Sequence, residues 1–168
     1  ALPISQVGVK PASEYLLIVF VTPVGPYYKE GFNPIRVIID RDHDRAAPLG
    51  TGHIKAGGNY GASLTSAEIG HEKGYPSVLY LDAKEKKHID ECGAANFFAI
   101  RDGRYITPKS HSVLPSITNM SLMTLAAEMG LQVEQRVVDY DELGTFDEAG
   151  SCGTAAVISP IGSIYDPE

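Results

Sequence analysis

Short apolar segments recur along the chain and predict a fold that is rich in β-strands. The first is "EYLLIVFVTPVG", residues 14–25, where a β-branched apolar run ends at proline and glycine and predicts a buried strand. A hairpin that turns at Asp102-Gly103 is predicted by "NFFAIRDGRYITP". Four other segments predict further strands: "IRVIID", "SVLYLD", "LQVEQRVV" and "GTAAVISPIG".

Two segments have the longer spacing of helices. From about Asn59 to Lys73 the apolar residues share one helical face, formed by Ala62, Leu64, Ala67 and Ile69. In "LPSITNMSLMTLAAEMG" a second face is formed by Leu122, Leu125, Ala126 and Met129. Gly74 and Gly130 stand where these helices should end. Strands with two main helices predict an α/β (α+β) fold, with residues 1–12 as a linker or domain edge and residues 13–168 as one domain.

Composition and charge exclude several function classes. A chain of 168 residues is long enough for one domain with a real core. Its formal net charge of -7 disfavours nonspecific nucleic-acid binding, and its longest apolar run, Leu16 to Val21, is too short to span a bilayer. We see no secretory signal pattern, and two distant cysteines without CxxC spacing fit a reducing cytoplasm.

Two patterns that suggest metal binding do not meet its requirements. "DRDHDR", Asp40 to Arg45, alternates acidic residues like a calcium loop, but Arg45 and Thr51 stand where that loop needs glycine and glutamate. We interpret the segment as a solvated loop. The histidines show neither HxH nor HExxH spacing, so we expect no metal site.

The segment "GTGHIKAGGNYGASL" surrounds Lys55 with glycines. Most isolated lysines are solvated surface charges, but Lys55 follows a strand and a turn and precedes a predicted helix. Gly57 and Gly58 leave room for a flat ligand, and Tyr60 offers a hydroxyl to a phenolate-like oxygen. A lysine that attacks an aldehyde needs to be partly dehydrated, so we expect that environment for Lys55.

"KAGGNYGASL" resembles the cofactor-lysine motif of the branched-chain amino acid aminotransferases, which are fold-type IV pyridoxal phosphate enzymes. "YLDAKEKKHIDECGAANFF", "TPKSHSVLPSITNMSLMTLA", "AGSCGTAAVISPI" and "VTPVGPYY" resemble other segments of that family, in the same order, from about Val9 to Ile164. The resemblance implies the larger, C-terminal, cofactor-binding domain, a strand-rich pseudo-barrel with flanking helices. It also implies that the small N-terminal domain and the extreme C-terminus are absent, so the chain alone should be inactive.

The resemblance assigns roles to three side chains. Lys55 forms a Schiff base with the aldehyde of pyridoxal 5′-phosphate and moves the proton between the substrate Cα and the cofactor C4′. Tyr60 meets the phenolate-like oxygen. Glu91 faces the pyridine nitrogen and keeps the ring protonated; Asp90 is the neighbouring competitor for this role.

The same resemblance assigns the anion-binding groups. The N–H groups of Ile117 and Thr118, at the start of the second helix, bind the phosphate, as helix N-termini do. Thr154 binds phosphate or the substrate carboxylate, and the N–H of Ala155 meets the substrate carboxylate. The family usually has glycine where Ser116 stands and arginine where Asn119 stands, so the backbone conformation at this helix start is open.

The function implied is transamination of leucine, isoleucine or valine with 2-oxoglutarate, by a protein that assembles as a dimer or larger. D-amino acid aminotransferase and aminodeoxychorismate lyase, which share the lysine and the glutamate, are the near alternatives. A non-catalytic module that binds a phosphate or nucleotide is another. The glycines around Lys55 match neither GxGxxG nor GxxxxGK[ST], which disfavours the nucleotide module.

Overall fold

Eight strands, two α-helices and a 3₁₀ turn make up the part of the chain that the computed structural model describes, residues 10–25 and 32–168. The strands are β1 (Ile35–Asp40), β2 (Ser77–Leu81), β3 (Ile89–Cys92), β4 (Ala95–Arg101), β5 (Arg104–Pro108), β6 (Gln132–Arg136), β7 (Glu148–Gly153) and β8 (Val157–Tyr165). The helices are α1 (Gly57–Glu72) and α2 (Ile117–Glu128), and the 3₁₀ turn is Tyr140–Thr145. No helix within these residues is both long and apolar enough to cross a bilayer.

Six of the strands close into a ring. The sheet runs β3-β2-β1-β8-β7-β4, and β4 also pairs with β3, which completes the circuit. The far half of β4 pairs with β5, which carries β6 as a parallel neighbour outside the ring. This barrel-like sheet with helices outside it confirms the predicted α/β, strand-rich architecture.

The interior of the ring is a continuous apolar core. Side chains alternate across each strand, so one set of residues faces inward. This set is Ile35, Val37, Ile39, Leu79, Leu81, Ile89, Cys92, Phe97, Ala99 and Ile106, joined by Val138. The opposite face of β1 and β2 carries Ile38, Val78 and Tyr80. All five residues of β2 are therefore buried.

Helix α1 packs through its small and polar side, not through the predicted apolar face. Its buried residues are Asn59, Ser66 and Gly70, whereas Leu64 is 68% exposed. The reason is close approach to the sheet: a Cβ on Gly70 would lie 2.9 Å from Cγ2 of Val78. At that distance no larger side chain fits between the helix and the strand.

Helix α2 keeps only part of its predicted face. Ala126 is buried, but Leu125 and Met129 are exposed. Both predicted helix ends are confirmed, because Gly74 and Gly130 take positive φ angles of 82° and 88° just beyond the helices.

The strand predictions are confirmed at β1, β2, β6, β8 and the β4–β5 hairpin, whose turn residues Asp102 and Gly103 both have positive φ. Strands β3 and β7 were not predicted. The strand predicted over residues 14–25 is wrong: this segment has no regular structure, and its apolar side chains are exposed. A strand needs a paired edge, and no described strand pairs with it. Most of the predicted linker, residues 1–9, lies outside the described residues, as does 26–31.

Candidate functional site

A pocket of about 1110 Å³ lies where several turns of the fold meet. Its walls come from the loop before α1, the β3–β4 turn, the start of α2 and the β7–β8 turn. The lining residues are Val24, Gly25, Lys55, Ala94, Ala95, Asn96, Leu114, Pro115, Ser116, Ile117, Gly153, Thr154, Ala155, Ala156 and Val157. Four predicted site residues are thus brought together: Lys55, Ile117, Thr154 and Ala155. The other three, Tyr60, Glu91 and Thr118, stand beside or behind this wall.

Lys55 and Tyr60 contact each other at the pocket. The Lys55 Nζ donates a hydrogen bond to the Tyr60 hydroxyl at 3.0 Å and lies 5.5 Å from the centre of that ring. The lysine is exposed, so the expected partial dehydration is wrong for the described residues. Within them, only the Tyr60 ring contacts the amine, which leaves it open to water.

The loop that carries Lys55 is fixed by Asn59, in the first turn of α1. The Asn59 amide donates to the carbonyl of Thr51 at 2.7 Å and to that of Ile54 at 2.9 Å, and its oxygen accepts from the Thr51 hydroxyl at 2.8 Å. The side chain is 7% exposed. Sequence reasoning missed this residue, although an asparagine between glycines at a helix start is typical of a loop-holding position.

One glycine of this segment is required by close packing. A Cβ on Gly52 would overlap the backbone of Ser112, coming 2.7 Å from its Cα. At Gly57 and Gly58, by contrast, a Cβ would meet nothing within 4 Å in the described part of the chain. Gly52 therefore brings the Lys55 loop against the segment that precedes α2, while the predicted site glycines border open space.

Glu91 is 3% exposed and is held from two sides. Its Oε1 accepts a hydrogen bond from the backbone N–H of Leu114 at 2.6 Å, and its Oε2 lies 3.3 Å from Nη1 of Arg45. Burial raises the pKa of Glu91 to about 7, against the opposing effects of Arg45, the Leu114 N–H and Lys55. The Leu114 backbone that binds Glu91 lines the same pocket as Lys55, so both predicted site charges belong to this part of the fold.

The competing carboxylate, Asp90, has a different set of partners. Its two oxygens accept hydrogen bonds from the hydroxyls of Ser110 at 2.7 Å and Ser112 at 2.6 Å. The pairing of β2 with β3 is irregular here, with Tyr80 opposite Glu91 and Leu81 opposite Ile89, so the two carboxylates differ in their partners and not by regular strand alternation. Asp90 therefore fastens the segment before α2, and Glu91 is the carboxylate that shares an environment with Lys55.

The interpretation of Asp40–Arg45 as a solvated loop holds at Asp42 and Asp44, which are exposed, but is wrong at Arg45. Arg45 is 8% exposed and contacts Glu91. Asp40 accepts hydrogen bonds from the N–H groups of Asp42 and His43, which folds the segment into a turn. The burial of Arg45 follows from its carboxylate partner, which hydropathy does not reveal. Across the described ranges, no group of three or more His, Cys, Asp and Glu residues is arranged to hold a metal ion.

The start of α2 presents backbone donors to the pocket. Ser116 occupies the N-cap, and its hydroxyl accepts from the N–H of Asn119 at 3.3 Å. The N–H groups of Ile117 and Thr118 have no acceptor among the residues that the structure describes. Such donors, together with the helix dipole, attract anions.

Two buried asparagines anchor this helix start to the sheet. Asn119 is 4% exposed; it accepts from the Tyr105 hydroxyl at 2.7 Å and donates to the Thr107 hydroxyl at 3.1 Å. Leu114 is held by its carbonyl as well, which accepts from the Asn96 amide at 2.8 Å. Neither Asn96 nor Asn119 was predicted as a site residue, and both are polar residues in otherwise apolar segments.

The β7–β8 turn forms the remaining wall. Gly153 pairs with Val157, so Thr154, Ala155 and Ala156 form the tip. Val157 has a positive φ of 54°, which strains a β-branched residue. Thr154 and Ala155 are therefore on the pocket wall, as the predicted anion-binding role requires.

Comparison with known proteins gives the same family throughout. A family model described as amino-transferase class IV matches residues 4–164. The chain is 55% identical over 162 residues to a branched-chain-amino-acid aminotransferase of Helicobacter pylori, covering 95% of this chain and 48% of that protein. It is 50% identical over 166 residues to the protein of that name from Haemophilus influenzae, with the same two shares. The chain spans about half the length of the curated relatives it matches.

Solved structures agree. The branched-chain amino acid aminotransferase of Escherichia coli has a TM-score of 0.78 and 34% identity, over 85% of this chain and 47% of that one. The Thermobaculum terrenum enzyme, solved in its PLP form, has a TM-score of 0.73 and 35% identity, over 80% and 44%. With the family model covering nearly the whole sequence, the chain belongs to the class IV aminotransferase family.

Proposed function

We propose that the chain is the cofactor-binding domain of a pyridoxal 5′-phosphate-dependent branched-chain-amino-acid transaminase. This enzyme exchanges amino groups between leucine, isoleucine or valine and 2-oxoglutarate. One observation carries the proposal: Lys55 and the start of α2, with its free N–H groups, line one pocket, and Glu91 is bound to the backbone of Leu114 in the same wall. The names of the two bacterial relatives support the substrate class.

The groups present fit this cofactor chemically. An amine suits an aldehyde, two helix-start N–H groups suit a phosphate, and a buried carboxylate suits a pyridine nitrogen that carries a proton. When bound, pyridoxal phosphate supplies the aldehyde and an electron-accepting ring. The largely apolar walls, such as Leu114 and Ile117, match an aliphatic substrate.

Each residue then has one task. The Lys55 amine is the nucleophile, and when free it accepts and returns the proton at the substrate Cα. Tyr60 orients that amine through their 3.0 Å hydrogen bond. Glu91 holds a negative charge in a dry setting, where its influence on a ring nitrogen is strong. Thr154 and Ala155 offer a hydroxyl and N–H groups to the phosphate or the substrate carboxylate.

The larger setting is part of the proposal. Residues 13–168 act as the cofactor-binding domain, residues 1–12 connect it to a smaller N-terminal domain, and the whole protein works as a cytoplasmic homodimer. Apolar side chains such as Leu64 and Met129 are exposed on the outer sides of the helices. They support the proposal that another part of the protein or a second subunit covers this surface. The two cysteines are both free, which a reducing compartment maintains.

The first experiment titrates the chain with pyridoxal phosphate and follows the absorbance of the covalently bound cofactor. Lys55→Ala should abolish that signal, whereas Lys84→Ala, which removes an exposed lysine outside the pocket lining, should leave it unchanged. Inorganic phosphate should compete. Phosphate-dependent binding of ATP, with no binding of pyridoxal phosphate, would instead support a nucleotide module.

The second experiment addresses the reaction. A protein that contains this chain and the remaining length of its relatives is assayed with 2-oxoglutarate and either L-leucine or D-alanine. We expect turnover of L-leucine. Preference for D-alanine would identify a D-amino acid aminotransferase, and release of aminobenzoate from aminodeoxychorismate would identify the lyase.

A further inference from the structure

A buried arginine joins three segments that each supply a part of the candidate site. The Arg45 Nη1 lies 3.3 Å from the Glu91 carboxylate, and its Nη2 donates to the carbonyl of Gly52 at 3.2 Å and to that of Ser112. Arg45 itself is on the loop that follows β1, and 8% of it is exposed. One guanidinium therefore contacts the loop of Lys55, the strand of Glu91 and the segment that leads into α2.

The contacts fall close to the groups that act in the proposed chemistry. Gly52 is three residues before Lys55, and its backbone packs directly on Ser112. Two residues after Ser112, the N–H of Leu114 donates to the other oxygen of Glu91 at 2.6 Å. Arg45 and Leu114 thus hold the carboxylate from both sides.

We propose that Arg45 is a positioning residue of this site, which holds the Glu91 carboxylate in its ionised form and fixes the Lys55 loop against the start of α2. This inference rests on the proposed function for its meaning in catalysis. Its physical content, the effect of Arg45 on Glu91 and on the two loops, does not require a bound cofactor.

Several groups surround Glu91, and Arg45 has the largest favourable effect among them. The charged or titratable groups are Arg45, Lys55, Asp90 and the thiol of Cys92, with Tyr80 as the neighbour across β2. Burial raises the pKa of Glu91 to about 7, and Arg45 opposes this more than the Leu114 N–H or Lys55 does. Without Arg45 the pKa of Glu91 would rise further, so the group would be largely neutral at physiological pH and would hold a positive ring nitrogen less well.

The contacts of Arg45 require the shape of a guanidinium group and not only its positive charge. A guanidinium is a planar fork whose separate nitrogens reach a carboxylate and two carbonyls at once, whereas an ammonium is a single point. Arg45→Lys should therefore keep much of the effect of the positive charge on Glu91 but release the two loops. Arg45→Met should lose both effects.

The test follows the ¹³C carboxyl signal of Glu91 against pH in the chain without cofactor, the signal being assigned by its loss in Glu91→Gln. In Arg45→Met the titration midpoint should move up by one pH unit or more, and in Arg45→Lys by less. Arg41→Met is the matched control, because Arg41 follows the same strand but pairs with Asp166, away from the site. It should leave the midpoint unchanged. An unmoved midpoint in both Arg45 variants would overturn the proposal.

A second readout separates charge from loop positioning. Pyridoxal phosphate affinity should fall about tenfold or more in Arg45→Met at pH 8, and less at pH 6, where Glu91 of the unmodified chain is itself largely protonated. In a Glu91→Gln background this pH dependence of the Arg45 effect should disappear. Equal loss at both pH values in both backgrounds would mean that Arg45 only supports the fold. If the chain binds no cofactor at all, the proposed function fails while the carboxyl titration still decides the role of Arg45.

Should Arg45→Met not fold, Arg45→Lys decides by the same two measurements. A Glu91 midpoint that rises only slightly, with weaker cofactor binding than in the Arg41→Met control, supports the proposal. A Glu91 midpoint and a cofactor affinity both equal to those of the control would contradict it.

Discussion

The two helix starts at the pocket place an asparagine at the same position and use it in opposite ways. Asn59 and Asn119 are each the third residue of their helix, and both are buried. Asn59 turns back to its own loop and binds the carbonyls of Thr51 and Ile54. Asn119 turns to the sheet and binds the hydroxyls of Tyr105 and Thr107.

The two helices also differ in their N-cap residues. The N-cap of α1 is Ala56, which has no side chain to accept a hydrogen bond, whereas Ser116 caps α2. The first helix start thus positions a side chain, Lys55, through its loop. The second is a rigid support that presents backbone N–H groups. A site that uses both a nucleophilic amine and an anion-binding helix end needs one helix start of each kind.

The largest effect is expected at Asn119. Asn119→Ala would leave the buried Tyr105 hydroxyl without its acceptor and would remove one of the two hydrogen bonds of the Thr107 hydroxyl, which still donates to the carbonyl of Phe97. It should lower the free energy of unfolding by about 2–4 kcal/mol. Urea unfolding measures this change. Ser121→Ala, on the exposed side of the same helix, is the control and should cost less than about 0.5 kcal/mol. If both variants lost the same unfolding free energy, α2 would not be anchored through Asn119.

Next in size is the pH dependence that Glu91 imposes. Its pKa is raised from the ordinary 4.5 to about 7, so between these values the folded state holds a proton that the unfolded state has released. Stability from this group is present below pH 4.5 and is lost as the pH rises to 7. Relative to Glu91→Gln, the unmodified chain should lose roughly 2–3 kcal/mol between pH 4.5 and pH 8.

Urea unfolding of both proteins at several pH values tests this prediction. The difference is informative because the other carboxylates with perturbed pKa values, such as Asp40 and Glu142, have lowered values and are common to both proteins. A difference that stays constant with pH would show that Glu91 is not protonated in the folded state.

Asn59→Ala should have a smaller effect on stability and a local effect on Lys55. Its loss removes three partly buried hydrogen bonds, for about 1–2 kcal/mol. Amide hydrogen exchange of residues 51–56 should become faster, while that of α2 stays unchanged. Ser63→Ala, further along α1, is the control. Faster exchange in α2 as well would mean that the two helix starts are not independent.

The smallest effects concern the caps. Ser116→Ala should destabilise the chain by about 1 kcal/mol, and Ala56→Ser should stabilise it by about 0.5 kcal/mol, because it adds the hydroxyl that α1 lacks. Thermal unfolding of both variants and the double variant measures this. A loss of stability in Ala56→Ser would show that the uncapped start of α1 is required by the conformation of the Lys55 loop.

The sequence predicted most of the fold where periodicity was the determining factor. Strands β1, β2 and β8 could be predicted because they are short apolar segments. The turn at Asp102-Gly103 has the residues that a two-residue hairpin needs. Strand β3 was missed because "IDEC" carries two buried carboxylates, which hydropathy treats as exposed. The predicted face of α1 was wrong because close packing through Gly70 excludes large side chains.

Part of the site could also be predicted. The position of Lys55, the helix start at Ile117 and the turn at Thr154 followed from motifs and are brought to one pocket. The supporting residues could not be predicted, because Asn59, Asn96 and Arg45 act through partners that are distant in sequence or lie in the backbone. No motif encodes the contact between Arg45 and Glu91, 46 positions apart, which only the closed sheet creates.

The most direct measurement is the site of covalent attachment. The chain is incubated with pyridoxal phosphate, reduced with borohydride and digested, and the modified peptides are identified by mass spectrometry. We expect one modified lysine, Lys55, with modification suppressed by inorganic phosphate. Modification spread over the other exposed lysines, such as Lys73 and Lys84, with Lys55 not favoured, would contradict it.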